Sequence, residues 1–296
     1  MTPLMNRPGH IAVFAAKGLG DGLLSLILAN QLRLLGHRVT LYNTAIRSIR
    51  NWLPAVEIHP FPLEATLRDE LSRYEHVIAA DFTPVSMMMR PSDRLTILYQ
   101  NSFDTKISVA KNFVKYLIGS WNPNANDSTG ICIPPHLRHK EYRDRVIIHP
   151  TSGADSKNWL PEKFVQLAHN LRADGFDPVF CVSPDEAPDW LWVESDEGIP
   201  LYAPPSIEAL ASFVYTSGCF IGNDSGTGHL ASLLHIPTIS LFARKSHSRL
   251  WRPDWGPGVV VTPFVQLPGA RLKQKYWKQL LSVKRVLRAH SELVSN

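Results

Sequence analysis

Short apolar runs alternate with segments of helical periodicity along most of this chain, and no other feature constrains its fold as strongly. The first runs are 11–16 (IAVFAA) and 38–42 (RVTLY), with leucines at helical spacing between them, and further runs follow at 57–61, 76–82 and 95–100. Strands that are separated by helices pair in parallel, because each helix carries the chain back to the starting edge of the sheet. The pattern predicts an α/β fold with a parallel sheet and helices on both faces.

A segment rich in proline, glycine, asparagine and serine, 119–140, interrupts this rhythm, and a second α/β alternation begins at 145. A chain of 296 residues also exceeds the usual size of one domain. We therefore predict two Rossmann-like parallel-sheet domains, at 1–140 and 141–269, and a basic helix at 270–296. Ligands of such sheets bind beyond the carboxyl ends of the strands, so we expect the two domains to face each other across a cleft.

Composition narrows the class of protein. The net charge of +5 suits nucleic acid, an anionic membrane surface or an anionic substrate, and equally a protein with no anionic partner. The three cysteines, at 132, 181 and 219, form no CxxC pair, and no HExxH sequence occurs. This usage predicts a reducing compartment and no bound metal.

Two further classes of protein are disfavoured. No apolar run approaches the ~18 residues that a membrane span needs, and the N-terminal residues lack the pattern of a signal peptide. We therefore expect a cytoplasmic protein. Basic motifs interleaved with aromatic residues are absent from the sequence, so we predict no nucleic-acid partner.

The first of three candidate loops is AAKGLGDGLLS at 15–25. Its glycines suggest a dinucleotide-binding loop, but the third glycine of G-x-G-x-x-G would fall at Leu23, and the expected acidic residue about 20 positions later is missing. No G-K-[ST] follows, which excludes a P-loop. What remains is Asp21, beside Gly20, at the start of a helix. It either caps the helix by accepting amide hydrogen bonds, or serves as a general base that the helix N-terminus keeps ionised.

The second candidate loop is HPTSGADSKNWLPEKF at 149–164, where the first strand of the second predicted domain ends. Its small hydroxyl residues are Thr151 and Ser152, and Lys157 follows. A lysine beyond the carboxyl end of a strand can reach a bound phosphate, where its ammonium stabilises negative charge on a leaving group. The alternative is an exposed surface lysine.

The third candidate loop lies in IGNDSGTGHLASLLHIPTISLF at 221–242, between an apolar run and a helical run. Gly226 and Gly228 allow the backbone to approach a ligand, and the helix directs unpaired amides and its dipole at an anion. Asp224 would repel phosphate, so we expect it to bind sugar or ribose hydroxyls or to order the loop. The imidazole of His229 either donates a hydrogen bond to phosphate or simply packs inside the protein.

The C-terminal segment, about 270–293, has a helical pattern and contains seven basic residues but only one acidic residue, Glu292. An apolar stripe accompanies them, formed by Leu272, Tyr276, Leu280, Val283 and Leu287. The pattern is typical of a packed helix with a solvated basic face. It also suits contact with an anionic lipid surface or acceptor.

Taken together, the three loops give the chain a resemblance to glycosyltransferase family 9, the bacterial lipopolysaccharide heptosyltransferase family. The matching segments are KGLGDGLLSLILANQLRLLGHRVTLY, IIHPTSGADSKNWLPEKFVQLAHNLRADG and FIGNDSGTGHLASLLHIPTISLF, followed by LWRPDWGP. The resemblance implies a GT-B fold, with a nucleotide-sugar cleft between two Rossmann-like domains. It also implies an inverting, metal-independent transfer from a nucleotide-activated sugar, which is ADP-heptose in some branches.

By motif position, Asp21 resembles the family's catalytic base and Lys157 its phosphate-contacting lysine. The expected nucleotide-sugar-binding residues are Gly20, Thr151, Ser152, Asp224, Ser225, Gly226, Thr227, Gly228 and His229. The expected acceptor is a lipopolysaccharide core or a related glycolipid or glycan, reached at the inner face of the cytoplasmic membrane. We expect no cofactor beyond the ADP-linked co-substrate. Two alternatives are an epimerase-like nucleotide-sugar enzyme of the GT-B type and a non-catalytic GT-B binding protein.

Overall fold

A computed structural model describes residues 8–264 and 269–295. The chain forms two compact units whose boundary lies between Pro134 and Pro135. The sequence placed this boundary at 140/141, in the same segment of loop-forming residues. The predicted α/β class is confirmed, because both units are built on parallel sheets.

Unit 1 contains a five-stranded sheet in the order β3-β2-β1-β4-β5. Its strands are β1 (His10–Phe14), β2 (Arg38–Tyr42), β3 (Glu57–His59), β4 (His76–Ala80) and β5 (Leu95–Leu98). Its helices are α1 (Leu19–Leu34), α2 (Leu67–Ser72), α3 (Pro84–Met88) and α4 (Val109–Ser120). Short 3-10 turns occur at Ile46–Trp52, Glu64–Thr66 and Gln100–Ser102.

The central strand β1 explains why the first apolar run is uninterrupted. Successive side chains of a strand point to opposite faces of the sheet. Ala12 and Phe14 belong to the core on the side of α2 and α3, while Ile11 and Val13 are equally buried on the other side. Both faces of the sheet are therefore covered, as is usual for parallel sheets.

Unit 2 contains a six-stranded sheet in the order β11-β10-β9-β6-β7-β8. Its strands are β6 (Tyr142–His149), β7 (Asp177–Cys181), β8 (Leu201–Tyr202), β9 (Ser217–Asn223), β10 (Thr238–Leu241) and β11 (Gly258–Val261). Its helices are α5 (Pro161–Ala173), α6 (Leu191–Ser195), α7 (Ile207–Thr216), α8 (Gly226–Leu233), α9 (Lys245–Trp251), α10 (Ala270–Leu280) and α11 (Val283–Val294). Two 3-10 turns lie at Asp155–Lys157 and Ala187–Trp190.

The C-terminal segment is two helices, α10 and α11, where the sequence predicted one. Its buried anchors are Trp277, Leu281 and Val286, which join the core of unit 2 beside α5. The predicted apolar stripe was therefore partly wrong: Leu272 and Tyr276 are exposed, at 44% and 41%. None of the described helices has the length and apolar character that crossing a bilayer requires.

Candidate functional site

A buried asparagine organises the carboxyl edge of the unit 2 sheet. Asn223 is the last residue of β9 and is fully buried. Its Nδ2 donates to the carbonyl oxygen of Pro150 at 2.6 Å, and its Oδ1 accepts from the backbone N–H of Trp159 at 3.0 Å. One side chain thus ties both ends of the β6–α5 loop that carries Lys157.

Lys157 is not a free surface lysine. Its Nζ lies 2.9 Å from Oδ2 of Asp224, and Nε2 of His247 lies 3.2 Å from the same oxygen. Burial favours the neutral carboxyl group, but the hydrogen bond from His247 and the ammonium of Lys157 outweigh it and hold the pKa of Asp224 below its usual value. The cluster is therefore an ionised carboxylate between two donors, at the edge where β9 ends.

The loop after Asp224 leads into α8, at whose N-terminus the sequence predicts an anion site. Ser225 is the N-cap of α8, and its hydroxyl accepts from the N–H of Gly228 at 3.3 Å. That bond removes Gly228 from the unpaired amides that the sequence suggested. The N–H groups of Gly226 and Thr227 make no hydrogen bond with any residue that the structure describes. These two amides, at the positive end of the helix dipole, can bind an anion.

Thr151 and Ser152 bind protein groups. The hydroxyl of Thr151 donates to Glu186 at 3.1 Å, and that of Ser152 lies 2.6 Å from Oδ1 of Asn158. Glu186 also accepts from the N–H and the hydroxyl of Ser183. Both predicted residues therefore order their loops in this structure.

His229 is packed inside unit 2. The ring is 5% exposed and lies edge-on to Trp255, with 6.1 Å between ring centroids. Burial lowers its pKa to about 4, although the charge of Asp224 acts in the opposite direction. His229 is therefore neutral at pH 7, and its Nδ1 has no hydrogen-bond partner within the described part of the chain.

Two cavities of unit 2 adjoin these residues. One, of about 320 Å³, is lined by the charged cluster and by Ser156, Leu241, Phe242, Ala243, Arg244 and Gln274. The other, of about 280 Å³, lies beside Thr227 and is mainly apolar. Its other lining residues are His149, Cys181, Val182, Ser183, Pro184, Pro204, Pro205, Ser206, Ile207 and Leu210. One cavity that contains charged groups and one that is almost wholly apolar suit a ligand with a charged end and a flat apolar end.

The C-terminal helix α10 holds the Lys157 loop in place. Indole Nε1 of Trp277 and Nε2 of Gln274 donate to the carbonyl oxygen of Ser156, at 3.1 and 2.8 Å. Nζ of Lys278 donates to the carbonyl oxygen of Asp155 at 2.7 Å. In return, Lys163 donates to three carbonyl oxygens at the end of α10. Helix α10 is therefore part of the scaffold of this site.

In unit 1, Asp21 and Gly20 lie in the first turn of α1. The N-cap is Gly18, so the interpretation of Asp21 as the N-cap was wrong. A Cβ on Gly18 would lie 2.5 Å from Oδ2 of Asp21, because the carboxylate folds back over the N-cap. Asp21 is partly exposed beyond the carboxyl end of β1, and its role as a general base stays a prediction.

Sequence reasoning missed several residues of the unit 2 site: Asn223, Glu186, Arg244, His247 and Gln274. Two of them had a detectable signal, because Arg244 and His247 follow directly on an apolar run and so lie beyond the carboxyl end of a parallel strand. Among residues 8–264 and 269–295, no three histidine, cysteine, aspartate or glutamate side chains are grouped so as to hold a metal ion.

Comparison with known protein families identifies the class of protein. The model of glycosyltransferase family 9 (heptosyltransferase) matches residues 113–262, just over half of the chain. This chain belongs to glycosyltransferase family 9. The match includes both loops of the unit 2 site, and it confirms the resemblance seen in the sequence.

Two curated relatives carry the same family's activity in their names. Lipopolysaccharide heptosyltransferase 3 of Escherichia coli is 29% identical over 123 residues, which cover 39% of this chain and 35% of that protein. The protein of the same name from strain K12 is 30% identical over 122 residues, with the same coverage. The aligned segment thus spans about a third (35%) of the length of each relative.

Solved structures resemble the whole chain. ADP-heptose lipopolysaccharide heptosyltransferase II of E. coli has a TM-score of 0.69 at 16% identity, covering 97% of this chain and 98% of that one. A family 9 glycosyltransferase from Veillonella parvula has a TM-score of 0.74 at 16% identity, covering 98% and 99%. An E. coli heptosyltransferase solved with ADP has a TM-score of 0.69 at 14% identity, covering 96% and 99%. At these identities the likeness establishes the fold, and the predicted GT-B class is confirmed.

Proposed function

We propose that this protein is an inverting glycosyltransferase that moves a sugar from a nucleotide-activated donor, ADP-heptose first among the candidates, to a lipopolysaccharide core or related glycan. The observation that carries the proposal is the Lys157–Asp224–His247 cluster beside the N-terminus of α8. Membership of family 9 supports it, as do the names of the relatives, which include a heptosyltransferase solved with ADP.

The donor's parts match the two cavities of unit 2. A nucleobase suits the apolar cavity beside Thr227, which His149 and Ile207 also line. A diphosphate suits the unpaired amides of Gly226 and Thr227 and the ammonium of Lys157. Asp224, held ionised by its partners, is suited to accept hydrogen bonds from sugar hydroxyls.

In the proposed reaction the Asp21 carboxylate removes the proton of an acceptor hydroxyl as that oxygen attacks the anomeric carbon. The bond from that carbon to the phosphate oxygen breaks on the opposite face, so the configuration inverts. The nucleoside diphosphate leaves with the bonding electrons, and Lys157 and the α8 amides stabilise its charge. Because protein cations and dipoles supply this stabilisation, we propose that the reaction needs no metal ion.

The first test is a thermal-shift screen against ADP-, UDP-, GDP- and CMP-linked sugars. A ligand at about 100 times its dissociation constant stabilises a protein by ~2.7 kcal/mol, so a true donor should be prominent. We expect the ADP-linked sugar to give the largest shift. If no nucleotide sugar shifts the unfolding midpoint, the proposal fails.

Turnover assays test the reaction class. With donor and a lipopolysaccharide-core acceptor, we expect the nucleoside diphosphate and a glycosylated acceptor, with activity unchanged by EDTA. An absolute requirement for added Mg²⁺ would contradict the metal-independent step. Donor incubated without acceptor should stay intact, and its conversion to an isomer would indicate an epimerase instead.

We also propose a peripheral contact between the C-terminal helices and an anionic membrane at the cytoplasmic face. The exposed basic residues on these helices are Arg271, Lys275, Lys284, Arg285 and Arg288. Each basic residue near an anionic leaflet contributes about 1 kcal/mol. We expect vesicles with anionic lipid to carry more protein in flotation than neutral vesicles, and equal recovery would contradict this contact.

A further inference from the structure

The cavity of unit 2 that is lined by Lys157, Asp224 and His247 contains a second strongly basic side chain, Arg244, which belongs to none of the motifs discussed above. Arg244 is the N-cap of α9, three residues after the end of β10, and it lines the cavity together with Lys157, Asp224 and His247. It is half-buried. Within the described part of the chain, its guanidinium makes no hydrogen bond and no ion pair.

The guanidinium of Arg244 is partly removed from water, and its donors are available to a ligand. A guanidinium carries five N–H donors and stays charged, so burial without acceptors is unfavourable. Two other partly buried basic groups of unit 2 do have acceptors. Arg252 bonds Asp254, and Lys163 bonds carbonyl oxygens of α10. Arg244 is therefore placed for an acceptor that comes from outside the protein.

The charges of the cavity indicate which kind of acceptor. The charge of Lys157 is already balanced by Asp224 at 2.9 Å. Arg244 therefore supplies the positive charge of the cavity that has no counterion. The proposed donor brings two phosphate groups, and the one next to the sugar must lie on the side of Asp224, away from the apolar cavity at Thr227.

We propose that Arg244 binds the phosphate next to the transferred sugar and so stabilises the nucleoside diphosphate as it leaves. This inference rests on the proposed function. Its planar fork of donors matches two phosphate oxygens at once, which the single ammonium of Lys157 cannot do. Arg244 gains its strongest interaction when the bond to the sugar breaks, because negative charge then accumulates on that phosphate.

The experiment measures binding of ADP, UDP and GDP, and of the matching monophosphates, by titration calorimetry to the full-length protein. The variants are Arg244→Gln and Arg244→Met, which remove the charge, and Arg244→Lys, which keeps the charge without the fork. The matched control is Arg249→Gln, an exposed arginine on the same helix. Unfolding midpoints establish that each variant is folded. If Arg244→Gln does not fold, the binding result of Arg244→Met is used in its place.

We expect the uncharged variants to bind the preferred diphosphate about 10- to 100-fold more weakly, the usual effect of losing a hydrogen-bonded charge. Arg244→Lys should recover part of the loss, and the monophosphate should be affected less than the diphosphate. Arg249→Gln should bind like the wild type. Diphosphate affinity within twofold of wild type in a folded uncharged variant would overturn the role of Arg244. If the wild type binds none of the nucleotides, the proposed function itself fails.

Discussion

The two units hold their candidate loops with the same device, a buried asparagine just beyond or at the end of a strand. In unit 1, Nδ2 of Asn43 donates to the carbonyl oxygens of Ala16 and Gly18, at 2.6 and 3.3 Å. In unit 2, Nδ2 of Asn223 donates to the carbonyl oxygen of Pro150 at 2.6 Å. Both asparagines are fully buried, and each lies at or just beyond the end of the strand that neighbours the one before its loop.

The loops differ in what else holds them. In unit 1, the loop from β1 to α1 is short, and Gly22 allows close packing: a Cβ there would lie 2.7 Å from Ile46 and 2.8 Å from Asn43. In unit 2, the loop from β6 to α5 is longer and is held by α10 and by the ion pair of Lys157 with Asp224. A short loop thus positions an acid by backbone packing, whereas a long loop needs distant helices to position a cation.

The largest expected effect is the loss of the acid. Asp21→Asn should lower turnover by ~10²–10⁴ with little change in donor affinity, because the amide cannot accept the acceptor's proton. Steady-state turnover and donor titration measure the two quantities. The control is Asp69→Asn, an exposed first-turn acid of α2 in the same unit. Turnover near the wild-type value would remove Asp21 from the base role.

The asparagines come next. Asn223→Ala leaves the carbonyl oxygen of Pro150 and the N–H of Trp159 buried without partners, and should lower the free energy of unfolding by ~2–3 kcal/mol. Asn43→Ala should cost a similar amount. The control is Asn170→Ala, since that exposed side chain bonds only the preceding turn of its own helix. Denaturant unfolding measures the free energy of unfolding of all three variants. If Asn223→Ala and Asn43→Ala lose no more than Asn170→Ala, the buried asparagines do not support the loops.

Acid should weaken unit 2 through His229. The pKa of His229 is about 4 in the folded protein, against 6.5 for a solvated histidine, so the unfolded chain binds the proton first as pH falls. The stabilisation is therefore complete above pH 6.5 and is lost as pH falls towards 4, amounting to about 2 kcal/mol between pH 7 and pH 5. His229→Gln should reduce this slope, whereas His136→Gln, an exposed histidine, should not. Denaturant unfolding at pH 7 and pH 5 measures the loss of unfolding free energy. The same loss in the wild type and in His229→Gln would contradict the prediction.

The smallest expected effect is that of α10 on the Lys157 loop. Trp277→Phe keeps an aromatic ring at this position but removes the indole N–H that donates to the carbonyl oxygen of Ser156. The affinity for the nucleotide sugar should therefore fall only a few-fold, equivalent to about 1 kcal/mol. A merely structural role would give the same loss in any background. If Trp277 acts through Lys157, the effect should disappear when it is combined with Lys157→Met. Additive losses in the donor titration would show that α10 does not position Lys157.

Much of the fold followed from local patterns. The apolar run at 11–16 overlaps β1 in all but its first residue, and the helical repeat that ends at Gly175 contains α5, because burial imposes a period on each element separately. The three candidate loops were found in the same way, since they lie where predicted strands end. The single helix predicted for 270–293 missed the break before Val283, because its pattern does not show where Trp277 and Leu281 must turn into the core.

By itself, the sequence determined that this protein would build two parallel sheets and that Asp21, Lys157 and Asp224 would lie beyond the carboxyl ends of their strands. Only the tertiary structure decided that Lys157 pairs with Asp224, that Asn223 ties the loop between β6 and α5, and that α10 supports it. These contacts join residues far apart in the chain, and they depend on the order of strands β10, β9 and β6 in the sheet. A periodic pattern records which face of an element is buried, but it carries no information about which distant element covers it.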